Sequence, residues 1–342
     1  MDDHSNDRPA GTSASDGANQ EAVEGPQIRR RVAGLLVLAA LLITGFAAWS
    51  DHRYEFDDAF ISYRYAANLA GGEGLVFNPG ERVEGYSNFL WVLLLAAAAA
   101  AGVPPHVVGP WLGVGAYLTV IALCWAVVWT PAFSLGRGTR QAVLASVAIA
   151  VLIIAHGFGG TAGSGLETHF FALLILVGGL VLATADLQRA PSLLTLGVVP
   201  ALLVLTRPDG DIPASALLLI DLVRSTAERA DWRVGALSAF IAAVPALVAG
   251  GAYLIFKLIY FGELLPNPYF AKGADSLHLD AGLAYLWGFV RSYSFAVVCL
   301  VFAIVLVLRR TRSEASLRLG AYALVASIAY GAFLVKVGGD FM

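Results

Sequence analysis

The chain has 342 residues, 58% of them hydrophobic and 14% charged, with a mean hydropathy of +0.72. Soluble domains run at roughly 45–50% apolar and about 25% charged, so a soluble protein with one ordinary core is excluded. The formal net charge of −3 says little about partners, because in a membrane-embedded chain the position of the charges is what matters.

Residues 1–28 are rich in Ser, Asp, Gly, Asn and Glu and nearly devoid of large apolar side chains, which predicts a disordered cytoplasmic tail. Arg29, Arg30 and Arg31 then precede an apolar block at 32–49. The polar stretch before it is too long, and the block itself longer than the 7–15 residues usual, for a cleaved signal peptide. A first transmembrane helix with a cytoplasmic N-terminus is expected instead. Further apolar blocks lie at 89–102, 108–129, 142–157, 169–185, 193–206, 212–223, 235–261, 284–308 and 319–337. Cys124 and Cys299 sit inside such blocks without a Cys or His at metal-ligand spacing and read as small buried hydrophobes.

The fourteen positions of 89–102 make only about 21 Å of helix, short for a ~30 Å hydrocarbon core. If this block does not cross, the loops on the cytoplasmic side carry Arg137, Arg140, Arg189, Arg224, Arg229, Arg233, Arg309, Arg310, Arg312 and Arg318. If it does cross, all of them fall outside, against the positive-inside tendency. The expectation is an all-α polytopic membrane protein with about nine spanning helices and a juxtamembrane or re-entrant helix at 89–102. The external face then receives 51–107, 157–168, 206–211, 261–283 and 337–342, and any chemistry is expected there.

The first external loop, 51–107, is the richest in unusual polar residues. Asp57 or Asp58 is placed to cap a short helix presenting Phe60, Tyr63 and Ala67 on one side and ended by Gly71, Gly72 and Gly74. Two adjacent carboxylates exceed what one cap needs, and their repulsion suits a general base or a divalent metal contact. Asn78-Pro79-Gly80-Glu81 is a turn signal between two short extended runs, predicting a small hairpin. Glu84, Tyr86 and Asn88 beyond it suit a polyhydroxyl ligand, although loop packing explains each of them alone.

The runs Asp57-Asp58-Ala59-Phe60-Ile61-Ser62-Tyr63-Arg64-Tyr65 and Gly74-Leu75-Val76-Phe77-Asn78-Pro79-Gly80-Glu81-Arg82-Val83-Glu84-Gly85-Tyr86-Ser87-Asn88-Phe89-Leu90-Trp91 closely resemble the first external loop of a family of GT-C glycosyltransferases. That family includes the terminal arabinofuranosyltransferases of the mycobacterial cell wall and relatives described as flagellar motor control proteins. Ser164-Gly165-Leu166-Glu167-Thr168, Thr206-Arg207-Pro208-Asp209-Gly210, Leu265-Pro266-Asn267-Pro268-Tyr269-Phe270-Ala271-Lys272 and Gly338-Gly339-Asp340-Phe341-Met342 are similar to its later landmarks, in the same order.

The resemblance implies a GT-C-like transmembrane domain over 29–342. It also implies a polyprenyl-phosphate sugar as donor, arabinofuranose being one such sugar, and a cell-envelope glycan as acceptor outside the plasma membrane. Members of the family continue past the position matching Met342, so a C-terminally incomplete domain is expected. Asp57 and Asp58 would act on the acceptor hydroxyl as general base, or hold a divalent metal ion. If configuration is retained, the aspartate would be a nucleophile or oxocarbenium stabiliser.

Arg207, ahead of a helix-interrupting Pro208, would grip the lipid-linked phosphate. The bland reading is an interfacial arginine paired with Asp209 or Asp211. Lys272 is a second phosphate candidate against an ordinary solvated lysine. Asp209 and Asp340 join the substrate-binding set, with Lys336 near Asp340. Glu167 reads as a carboxylate at a helix N-terminus, and His156 and His169 as polar anchors. No Gly-rich nucleotide motif is present and no nucleic-acid partner is expected. The rival functions are a lipid-sugar flippase or transporter, which would need midplane charges or repeated halves, and a non-catalytic regulator that keeps the fold.

Overall fold

The computed structural model describes residues 34–35, 38–39, 42, 56–130, 133, 161–184, 186, 189–268, 278–292 and 313–339. Among these residues all extended regular structure is helical. We number the helices α1 (Asp57–Ala70), α2 (Phe89–Ala100), α3 (Pro105–Trp129), α4 (Thr168–Thr184), α5 (Ala190–Thr206), α6 (Asp211–Arg229), α7 (Trp232–Tyr260), α8 (Leu279–Ser292) and α9 (Glu314–Val337), with a 3-10 turn at Pro208–Gly210 between α5 and α6. The tail 1–28, the block 142–157, His156 and Cys299 lie outside the described residues.

Among the described residues three helices, at Pro105–Val127, Trp232–Tyr260 and Glu314–Val337, are long and apolar enough to cross a membrane. α7 is the clearest of them. Asp231 caps its first turn by accepting from the Arg233 N–H at 2.9 Å, and 29 residues give about 43 Å of helix. Val248 and Ile259 are 66% and 79% exposed on it. Apolar surface on that scale is tolerated where lipid, not water, is the solvent. The molecule is therefore an all-α membrane protein.

α2 has twelve residues, about 18 Å, and buries Trp91, Val92, Leu95 and Ala96 against α1 and its neighbours. At that length it falls short of a ~30 Å hydrocarbon core. The main core is formed by α4, α5, α6 and α9 around Leu182, Leu196, Leu203, Leu217 and Tyr322. α5 and α7 approach closely at Gly197, where an added Cβ would collide with the Ala242 carbonyl and the Pro245 ring.

Two groups of polar residues expected on opposite sides of the membrane stand at opposite ends of α6. Arg207 and Asp209 stand just before its start. Toward its far end, Arg224 pairs with Asp221 at 2.7 Å and with Glu228 at 2.9 Å, and Glu228 in turn pairs with Arg318 of α9 at 2.9 Å. Arg224 and Arg229 lie within the helix and not in a loop, because α6 continues past residue 223. Asp221 is fully buried and also accepts from Ser238 of α7 at 2.8 Å, so this far end is fastened by a buried polar network.

Two local expectations give way to the structure. Phe60, Tyr63 and Ala67 do not share one environment on α1: Tyr63 is buried, whereas Phe60 and Ala67 are exposed. The buried face of the helix is Ala59, Ser62, Tyr63, Tyr65 and Ala66, and Phe60 is 53% exposed. Nor does a hairpin form at 75–88. The turn itself is present, with the Glu81 N–H on the Asn78 carbonyl at 3.1 Å and Gly80 at φ +90°. The flanking backbone is instead bonded by side chains of α1: Asn68 donates to the Val76 and Phe77 carbonyls and Tyr65 to Val83. These bonds take acceptors that a cross-strand ladder would need.

Candidate functional site

A cavity of about 430 Å³ lies at the end of the bundle where the first loop sits. Asp58, Ile61 and Ser62 of α1, residues 85–88 of the loop, residues 166–168 at the start of α4, Arg207 after α5, and Asn267 and Pro268 line it. Most of these residues stand at a helix end or in the segment next to one. Four residues expected from the sequence, Asp58, Tyr86, Asn88 and Arg207, thus meet in one place.

The two aspartates differ. Asp57 and Asp58 both lie in the exposed first turn of α1, where the helix dipole favours carboxylates. Neither caps the helix, since Phe56 is the N-cap residue and makes no side-chain bond. Asp57 Oδ1 accepts the Asp58 N–H at 3.0 Å, while Asp58 lines the cavity.

The opposite wall is an ion network. Arg207 donates through Nη1 to Glu167 at 3.0 Å and through Nε to Asp209 at 2.9 Å, and its guanidinium lies over the Phe171 ring at 5.6 Å. Burial works against its charge, but Glu167 and Asp209 outweigh that and hold its pKa above the ordinary value. These bonds engage two of the five N–H groups of a guanidinium, so donors remain for an anion. Asn88 Nδ2 donates to the other Glu167 oxygen at 2.7 Å and shares hydrogen bonds with Ser62. Glu167 therefore ties Arg207 and Asn88 together. It is a partner in the site and not just a helix-end carboxylate. The signal was available: an acidic residue opening one apolar helix and a basic residue closing another, in a chain with few charges.

Two expected ligand contacts turn out to be supports. Asp209 does not line the cavity. Its carboxylate takes the Arg207 bond and a short hydrogen bond from the Tyr330 hydroxyl. Glu84 does not line it either, because its oxygens are held by Lys257 Nζ at 2.8 Å and the Tyr253 hydroxyl at 2.6 Å. Tyr86 is buried, and its phenol is pushed above its ordinary pKa by burial and then by the Glu84 charge. It stays protonated at working pH and is no base. His169 is buried edge-on against Tyr117. Lys272 and Asp340 lie outside the described residues.

Just before the lining residues 166–168 stands Gly165, at φ +82°, whose carbonyl accepts the Trp91 indole N–H at 3.0 Å. A Cβ there would strike the Tyr63 hydroxyl. As to metal, no group of three or more His, Cys, Asp or Glu stands together among the described residues.

An all-α membrane protein with a polar, carboxylate- and arginine-lined cavity at one end of its bundle is the class these features define. Over 285 residues the chain is 30% identical to the terminal β-(1→2)-arabinofuranosyltransferase of Mycobacterium tuberculosis, covering 77% of this chain and 42% of that protein. It is 28% identical to the enzyme of the same name from Corynebacterium glutamicum over 351 aligned positions, covering 89% and 48%. The chain is thus similar to two terminal arabinofuranosyltransferases, and spans less than half the length of each. No family model and no solved structure matches it.

Proposed function

We propose that the chain carries the transfer site of a membrane glycosyltransferase that moves a sugar, arabinofuranose by analogy with its relatives, from a polyprenyl-phosphate donor to a glycan outside the plasma membrane. The observation that carries this reading is the meeting of Asp58 and Arg207 in one cavity. A group-transfer site needs a base for the acceptor and a cation for the leaving group. Asp58 takes the proton of the acceptor hydroxyl as its oxygen bonds to the anomeric carbon. The bond from that carbon to the phosphate oxygen breaks, and the electron pair leaves with the polyprenyl phosphate. Arg207, joined by Lys272, stabilises the charge that develops on the phosphate. Asn88 and Ser62 orient sugar hydroxyls, with Tyr86 packed in the wall beside them, and Glu167 and Asp209 hold Arg207 in place. Asp57 and Asp58 are also the residues that would hold a divalent cation, whose chemistry there would be neutralisation of phosphate charge.

Sidedness follows from the arginine count, with the cavity end of α6 outside and the Arg224–Arg318 end in the cytoplasm. About nine spanning helices complete the proposed bundle. The test uses right-side-out vesicles from cells making the whole protein that contains this chain, a polyprenyl-phosphate arabinofuranose in the bilayer, and a membrane-impermeant oligosaccharide acceptor added outside. Transfer to the outside acceptor is the expected result. No transfer above vesicles lacking the protein, or transfer in inverted vesicles only, would defeat the proposal.

A further inference from the structure

Lys257 lies one turn from the end of α7, among apolar residues that face outward: Ile255 is 61% exposed, Leu258 49% and Ile259 79%, yet Lys257 itself is only 5% exposed. A lysine near a membrane helix end ordinarily extends toward water. This one turns inward to a carboxylate that is 4% exposed, Glu84, at 2.8 Å. Desolvating two charges offsets much of their attraction, so a buried pair is by itself weak evidence for stability.

The geometry fixed here is that of two cavity walls. Glu84 is bonded three ways: to Lys257 through one carboxylate oxygen, to the Tyr253 hydroxyl through the other, and by its backbone carbonyl to the Asn267 N–H at 3.0 Å. The next residue, Gly85, donates its N–H to the Tyr65 hydroxyl at 2.8 Å. Residues 85–88 form one wall of the cavity, and Asn267 and Pro268 part of another. Phe89, directly after the first wall, stacks on Tyr253 with centroids 4.3 Å apart. Lys257 and Tyr253 stand one turn apart on α7, so the rigid end of that helix grips the point at which both walls are joined. Lys257 does not itself line the cavity.

We propose that Lys257 is a positioning residue of the transfer site, acting through Glu84 to set the 85–88 wall against the Asn267–Pro268 wall. The inference rests on the transfer reading above, and its test has a readout that does not. Ser87→Cys and Asn267→Cys are introduced together into the whole protein in membranes, and a short bifunctional thiol reagent measures how often the two walls meet. The background is wild type, Lys257→Met, Lys257→Arg, or Glu84→Met with Lys257→Met. The last removes both charges, so it leaves no uncompensated ion to unfold the protein.

The expected result is efficient cross-linking in the wild-type background and at least fivefold less in Lys257→Met and in the double replacement, with the protein still in the membrane in the latter. Lys257→Arg recovers most of the cross-link. Without the cysteines, the double replacement lowers kcat for sugar transfer about 10- to 100-fold, and more than it raises KM, as misplacement of reacting groups does. Unchanged cross-linking and unchanged kcat in the double replacement would overturn the proposal. Loss of that protein from the membrane would also overturn it, by assigning the pair to stability alone. If the wild type transfers no sugar, the functional reading fails while the cross-link still decides whether Lys257 sets the walls.

Discussion

Asp58→Asn lowers the rate of sugar transfer about 10²- to 10⁴-fold, the usual worth of a general base, and leaves the amount of protein in the membrane unchanged. The asparagine amide has the shape of the carboxylate but cannot accept a proton. Asp58 is exposed, so no buried partner is stranded by the change. Asp57→Asn costs roughly tenfold at most, the worth of one hydrogen bond, because the Asp57 carboxylate accepts the Asp58 N–H and does not line the cavity. The measurement is initial transfer rate at saturating acceptor for the two variants side by side. Equal, large losses in both would mean that the carboxylates act as one unit, as a shared cation requires. Equal, negligible losses would remove both from the chemistry.

Arg207→Ala is expected to damage both stability and activity. Glu167 and Asp209 are 6% and 8% exposed, and both lean on this guanidinium. Removing one partner of a buried pair typically costs about 3–5 kcal/mol, and the 25% exposure of the Arg207 side chain places this case near about 3 kcal/mol. Thermal unfolding in detergent should show a clear drop in midpoint, with transfer falling below detection. Arg207→Lys separates the two effects. It keeps a positive charge for the carboxylates but loses the planar fork, so stability returns while KM for the lipid-linked donor stays raised about tenfold or more. Donor affinity fully restored by lysine would remove the forked phosphate contact.

The all-helical membrane class was legible because the apolar blocks exceed anything a soluble core uses, and the short helix α2 because fourteen residues cannot cross a bilayer. Asp58, Tyr86, Asn88 and Arg207 were legible through the family motif, which the geometry brings to one cavity. The buried face of α1 was not, because a fourteen-residue helix carrying aromatic residues on several sides has no single stripe. Its neighbours, α2, Gly109 of α3, Gly165 and Leu166, decide which face is covered. The missing hairpin has a similar cause: the turn residues were read correctly, but the hydrogen-bond partners came from Asn68 and Tyr65 of a helix earlier in the chain.

Glu84 and Asp209 looked like ligand groups because charged residues in external loops usually face water. Their partners, Lys257 and Tyr253 for Glu84 and Arg207 and Tyr330 for Asp209, lie far away in sequence or just beside it. Lys257 itself carried no local motif. A lone lysine near the end of an apolar helix reads as an interfacial anchor, and only the position of the first loop turns it inward.

The central claim is that the cavity between Asp58 and Arg207 is where the lipid-linked sugar binds. A polyprenyl-phosphate arabinofuranose with a photoreactive group next to its phosphate, irradiated with the wild-type protein in membranes and followed by peptide mapping, tests it most directly. Adducts on the segments 58–62, 85–88, 166–168, 207 or 267–268, displaced by excess unmodified donor, are the predicted result. Displaceable adducts confined to other segments, such as the Arg224 and Arg318 end of the bundle, would contradict it.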